Sequence, residues 1–134
     1  MILGMAPNRS QTVLLVDNDP AVIDTFARML KLEGFAVQTA RNAREGLRQA
    51  AQQQPDAILL DLRMPFLDGL GFLRQLRADP KCQTTPVAIV TGDYLIEDDV
   101  LDAAHALGAT VKFKPLWLDE LLTVARELVE PVAV

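Results

Sequence analysis

Apolar and polar positions follow two different rhythms along this chain. Short apolar runs rich in Val, Ile and Leu lie at Thr12–Val16, Phe35–Thr39, Ala57–Leu60, Val87–Val90 and Thr110–Phe113. Runs this short and this rich in Val, Ile and Leu suit strands buried on both faces, so five strands of a parallel sheet are predicted. Between them, apolar residues recur every three or four positions, the spacing of a helix with one buried side.

Five helices follow from that spacing and from its punctuation. Asp19 suits the N-cap of the first, Pro20 its first turn, and Val22, Ile23, Phe26, Met29 and Leu30 form one stripe before Gly34 ends it. Asn42 caps a second helix whose Leu47, Ala50 and Ala51 face inward, with Pro55 after its end. A third runs from Gly69 to Ala78 on Phe72, Leu73 and Leu76, and Asp68-Gly69 reads as turn chemistry. A fourth spans Glu97–Leu107 and stops at Gly108. The fifth starts near Leu118 or Asp119 and carries Leu121, Leu122, Ala125, Leu128 and Val129.

The order is therefore (βα)₅. Right-handed crossovers between parallel strands place helices on both sides of one sheet, giving a doubly wound, flavodoxin-like α/β domain. A single domain is expected over residues 11–130, with short tails at 1–10 and 131–134. No internal repeat or linker interrupts it.

Composition narrows the function. Hydrophobic residues make up 50% of the chain and aromatics only 5%, so aliphatic side chains must build the core. No run reaches the roughly 18 apolar residues needed to span a bilayer, so no membrane association is expected. The net charge of −5 repels phosphate backbones and argues against direct nucleic-acid binding. Cys82 is the only cysteine, which excludes an intrachain disulfide and points to a reducing cytoplasm. It lies in the loop-like stretch KCQTTP and is expected to be inert, and His105 on the fourth helix is read as a solvated or packing residue.

In such sheets, ligands bind beyond the carboxyl ends of the strands. The first strand runs into Asp17-Asn18-Asp19, the third into Asp61, the fourth into Thr91 and the fifth into Lys114-Pro115. Carboxylates, a hydroxyl and an ammonium are thus expected to converge on one edge. Converging carboxylates invite a hard cation such as Mg²⁺, which accepts one or two of them and leaves room for phosphate. A carboxylate nucleophile beside a metal and a lysine is the equipment of phosphoryl transfer.

With VLLVDND, DAILLDLRMPFLDGLGFLRQLR, VAIVTGD and FKPLWLDEL in this order, the chain from about Thr12 to Val129 resembles the CheY-like receiver domains of two-component response regulators. The resemblance implies that Asp61 is the phosphorylated aspartate, and that Asp17, Asn18, Asp61 and the backbone carbonyl of Arg63 hold Mg²⁺. It makes Thr91 the switch hydroxyl and Lys114 the lysine that contacts the phosphoryl group. It sets Arg63 and Asp93 beside the path of the attacking water, where they modulate the lifetime of the adduct, and it implies a cis Lys114-Pro115 bond. The implied donor is a sensor histidine kinase or a histidine phosphotransfer protein, and an unidentified downstream protein reads the result. Without an output domain after the fifth helix, a stand-alone module that catalyses only its own modification is expected.

Two positions depart from that family. Asn18 stands where a second acid is usual, which predicts weaker Mg²⁺ binding without its loss; Asp19, as a helix cap, points at backbone N–H groups instead. Val111 stands where an aromatic usually precedes the lysine by three, which deprives the common Thr–aromatic coupling of its partner. Trp117, Leu116 and Tyr94-Leu95-Ile96 form an apolar patch on the partner-binding side if they are exposed together. Two other functions remain open on the residues. A phosphorylation-independent pseudo-receiver is consistent with Asn18 and Val111. A small phosphohydrolase using Asp17 resembles the haloacid-dehalogenase pattern, but it leaves Asp61 unexplained and meets Ala21 where Thr or Val is expected.

Overall fold

The computed structural model describes residues 11–64 and 68–130. The two expected tails and Pro65–Leu67, including the proline of Met64-Pro65, lie outside the described residues. The chain alternates β1 (Thr12–Val16), α1 (Pro20–Leu32), β2 (Ala36–Ala40), α2 (Ala43–Gln53), β3 (Ala57–Leu60), α3 (Gly69–Ala78), β4 (Val87–Thr91), α4 (Asp98–Ala106), β5 (Ala109–Phe113) and α5 (Leu118–Val129). The strands form one parallel sheet in the order β2-β1-β3-β4-β5.

Alternation along the strands divides the core in two. Val13, Leu15, Leu59, Ala88 and Val90 pack with Phe26 and Leu30 of α1 and with Leu121, Leu122 and Ala125 of α5. Leu14, Val16, Ile58, Leu60, Val87 and Ile89 pack with Ala50 of α2, Phe72, Leu73 and Leu76 of α3, and Ala104 of α4. Phe72 is fully buried, and burial of such a side chain stabilises by about 1.5–3 kcal/mol. Its ring leaves no room opposite: a Cβ on Gly46 would stand 2.9 Å from it and 3.0 Å from Val16. The glycine at that helix face is required by packing.

Helix ends explain where the elements differ from expectation. Asp19, Asn42 and Asp68 each cap their helix through the side chain, accepting from the N–H groups of Ala21, Glu45 and Gly71. After α1, Gly34 takes φ +92°, and the N–H of Phe35 turns back to the Leu30 carbonyl. Phe35 therefore closes the helix, and β2 begins one residue later than predicted. β4 extends one residue further, to include Thr91, and β5 begins one residue earlier, at Ala109. Cys82 ends a short 3₁₀ turn, Pro80–Cys82, rather than a loop; it is buried, and burial pushes its thiol pKa up, away from reactivity. His105 is exposed.

Arg77, near the end of α3, donates to three backbone carbonyls, those of Leu107, Cys82 and Thr85, at 2.8–2.9 Å. It thereby joins α3, the turn before β4 and the C-terminus of α4. At the opposite end of α4, Glu97 makes no side-chain cap. Among the described residues, no helix is long and apolar enough to cross a membrane.

Candidate functional site

Strand register brings the polar ends together. Val16 of β1 lies opposite Leu60 of β3, so the next residues, Asp17 and Asp61, leave the sheet side by side. The Asp61 N–H still bonds the Val16 carbonyl, at 2.9 Å. Thr91 lies opposite Phe113, and the N–H of Lys114 bonds the Thr91 carbonyl at 2.8 Å. Asp17, Asn18, Asp61, Arg63, Thr91, Asp93 and Lys114 all line one open cleft of about 530 Å³, together with Asp19 and Gly92. Every candidate site residue thus reaches the same edge.

The floor of the cleft is buried: Asp17, Asp61 and Thr91 are the buried polar side chains among the described residues. The Lys114 Nζ stands 2.9 Å from Asp17 Oδ2 and 3.6 Å from Asp61 Oδ1. The lysine therefore bridges the two carboxylates, and its shorter contact is with Asp17, not with the expected nucleophile. The other Asp17 oxygen accepts from the Asp19 N–H at 2.9 Å. Burial, with the Asp17 charge adding to it, raises the Asp61 pKa above its ordinary value, although Lys114 and the Arg63 N–H pull the other way.

A steric constraint supports the floor from beneath. A Cβ on Gly69, the first residue of α3, would meet the Asp61 carbonyl oxygen at 2.7 Å and Leu62 Cα at 2.8 Å. These are backbone atoms that cannot step aside. The start of α3 therefore seats against the peptide that carries Asp61, a contact that turn chemistry alone does not reveal. Gly92 has no such role, since a Cβ there meets nothing within 4 Å.

The rim is exposed. Arg63 Nε donates to Asp93 Oδ2 at 2.8 Å, and its Nη2 donates to the same oxygen, which spans the mouth between the β3 and β4 ends. That bond and the Leu95 N–H hold the Asp93 pKa below the usual carboxylate range. The Thr91 Oγ1 accepts from the Asp93 N–H at 3.1 Å. The Lys114-Pro115 bond is cis.

The expected apolar patch divides. Leu116 is buried and Ile96 half-buried in the core, whereas Tyr94, Leu95 and Trp117 are exposed, and Phe113 joins Tyr94 in a stack that the sequence reading missed.

The oxygen donors fit a hard cation. Two carboxylates, Asp17 and Asp61, meet on the floor of the cleft. One or two carboxylates with neutral oxygens are what Mg²⁺ accepts.

Comparison with known proteins bears on the family and the fold. The family model for the response regulator receiver domain matches residues 13–126. The transcriptional regulatory protein PrrA of Mycobacterium tuberculosis is 38% identical over 120 residues, covering 89% of this chain and 50% of that protein. The response regulator MprA of Mycolicibacterium vanbaalenii is 37% identical over 119 residues. The chain spans about half the length of these curated relatives. Among solved structures, chemotaxis protein CheY4 of Vibrio cholerae superposes with a TM-score of 0.82 at 26% identity, over 90% of this chain and 99% of that one.

Proposed function

The chain belongs to the response regulator receiver domain family, and we propose that it is a phosphoryl-accepting switch whose acceptor is Asp61. The donor in this reading is phosphohistidine on a sensor histidine kinase or a histidine phosphotransfer protein. The observation that carries it is the meeting of the buried Asp61 carboxylate with Asp17 and the Lys114 ammonium at one strand edge.

In the transfer step an Asp61 oxygen attacks phosphorus in line. The new O–P bond forms as the P–N bond to histidine breaks, and the imidazole keeps the electron pair. Mg²⁺, held by Asp17, Asp61, the Asn18 side-chain oxygen and the Arg63 carbonyl, would supply neutralisation of the charge on the transferring group. Asn18 brings no charge to that set, so metal affinity is lower than with two acids. Lys114 already spans both carboxylates and needs only a small movement to contact a phosphoryl oxygen. Thr91 offers its hydroxyl from the floor. Arg63 and Asp93, paired across the mouth, set how readily water reaches the adduct and hence its lifetime.

The modified pocket changes partner binding through the α4–β5 side. The acidic balance supports a receiver that does not itself contact nucleic acid; the transcriptional role in the name of PrrA is a property of that longer protein. Incubation with Mg²⁺ and acetyl phosphate tests the proposal. One added phosphoryl group, labile to alkali and hydroxylamine and absent from Asp61→Asn, is expected. A folded wild type that takes no label under these conditions favours a phosphorylation-independent module. Ester turnover lost in Asp17→Asn but kept in Asp61→Asn favours a hydrolase.

A further inference from the structure

Two aromatic rings sit where the cleft meets the outer surface. Tyr94, three residues beyond Thr91, stacks on Phe113 with ring centroids 5.6 Å apart and planes 21° from parallel. The Tyr94 hydroxyl donates to the backbone carbonyl of Lys114. Phe113 is the last residue of β5 and immediately precedes that lysine. One side chain on the β4–α4 loop thus grips the segment that carries the pocket ammonium.

Core burial does not hold the pair together, since Tyr94 is 64% and Phe113 39% exposed. The ring contact and the hydroxyl do so instead. The loop that carries Tyr94 is rooted in the pocket, because the Asp93 N–H donates to Thr91 Oγ1. Val111, half-buried and without a polar tip, cannot make a comparable contact.

We propose that Tyr94 is a positioning residue that couples the pocket to the outer face. Resting on the Asp61 reading above, the coupling works as follows. A Thr91 hydroxyl that turns to donate to a phosphoryl oxygen either releases the Asp93 N–H or draws it along. Residues 92–94 shift in both cases, and the Tyr94 ring moves on Phe113 and Lys114. In the resting state the same contacts keep the end of β5, and with it Lys114, in register with the carboxylates. The reporter of pocket occupancy is therefore carried by the loop after β4, not by β5.

Tyr94 is the only tyrosine in the sequence, so incorporation of fluorotyrosine gives a single protein fluorine NMR line. Beryllofluoride with Mg²⁺ supplies a phosphoryl mimic whose bound signals appear in the same spectrum. Wild type is expected to show bound-fluoride signals and a displaced Tyr94 line. Where Thr91→Val gives bound signals it is expected to lose the displacement, with Thr91→Ser restoring it. Phe113→Leu is expected to shift the resting line and shrink the displacement. Bound signals with an unmoved Tyr94 line in wild type overturn the coupling and leave the Asp61 reading standing. Displacement that persists undiminished in Thr91→Val also overturns it. Should Thr91→Val fail to bind, undiminished displacement in Phe113→Leu overturns it. A folded wild type without bound-fluoride signals overturns both readings.

Discussion

The cleft sets two cations against carboxylates, Lys114 on its floor and Arg63 at its rim, and the two differ in standing. On the floor, Lys114 lies 2.9 Å from Asp17, with 22% of the lysine side chain and 9% of the aspartate side chain exposed. At the rim, Arg63 pairs with Asp93, with 69% of the arginine side chain and 18% of the aspartate side chain exposed. The difference lies in the cations: water surrounds the Arg63 guanidinium and reaches far less of the Lys114 side chain. An exposed pair is weakly tied to folding, whereas removing one partner of a buried pair strands the other charge. Floor and rim should therefore answer differently to substitution.

The largest difference is expected from Lys114→Ala. Without the ammonium, Asp17 and Asp61 face each other uncompensated, and loss of a charged hydrogen bond costs about 1.5–3 kcal/mol. Urea unfolding at neutral pH measures this, and the loss should shrink as pH falls and the carboxylates protonate. Gly69→Ala tests the floor without touching a charge. Its methyl group must displace the Asp61–Leu62 backbone, and overpacking of this kind costs about 1–3 kcal/mol. Slower adduct formation should accompany the lower stability, since the displaced peptide carries the acceptor. Unchanged stability would show that the start of α3 yields more easily than its contacts imply.

A smaller effect concerns the acceptor itself. Because the folded state raises the Asp61 pKa above 3.8, its ionisation opposes folding. In metal-free buffer, Asp61→Asn and wild type should differ least in their pH response below that value. The advantage of the asparagine should grow as pH rises through the raised pKa and then level off. A pH-independent difference in urea midpoint would remove burial as the controlling influence. The smallest effect is expected at the rim: Arg63→Gln should leave the melting temperature unchanged while altering the decay rate of the adduct. A marked fall in melting temperature would erase the distinction between rim and floor.

Much of this arrangement was legible in the sequence because the central parallel strands are written as apolar runs. The edge strands β2 and β5, expected to be buried on both faces, are instead mostly exposed or half-buried. β1 and β3 fall where the runs fall, so Asp17 and Asp61 were identifiable as neighbours at one edge. The helix caps Asp19 and Asn42 were equally readable from residue type and position, whereas Asp68, read as turn chemistry, is the side-chain cap of α3. What escaped depends on contacts between distant segments. Phe35 looks like a strand residue until its N–H is seen to close α1. Gly46 and Gly69 look like ordinary helix residues until the Phe72 ring and the Asp61 peptide are placed against them. The preference of Lys114 for Asp17, the Arg63–Asp93 pair and the Tyr94–Phe113 stack involve partners from 19 to 97 residues apart, beyond any local pattern.

The three carbonyls gathered by Arg77 have a mechanical consequence for α4. They anchor its C-terminal end to α3 and to the approach of β4, while at the end nearer the cleft Glu97 supplies no side-chain cap. A rotation of this helix about that anchored end would have its greatest travel at Asp98, beside the loop that starts at Thr91. A shift beside the carboxylates would then act on the end of α4 farthest from its Arg77 anchor.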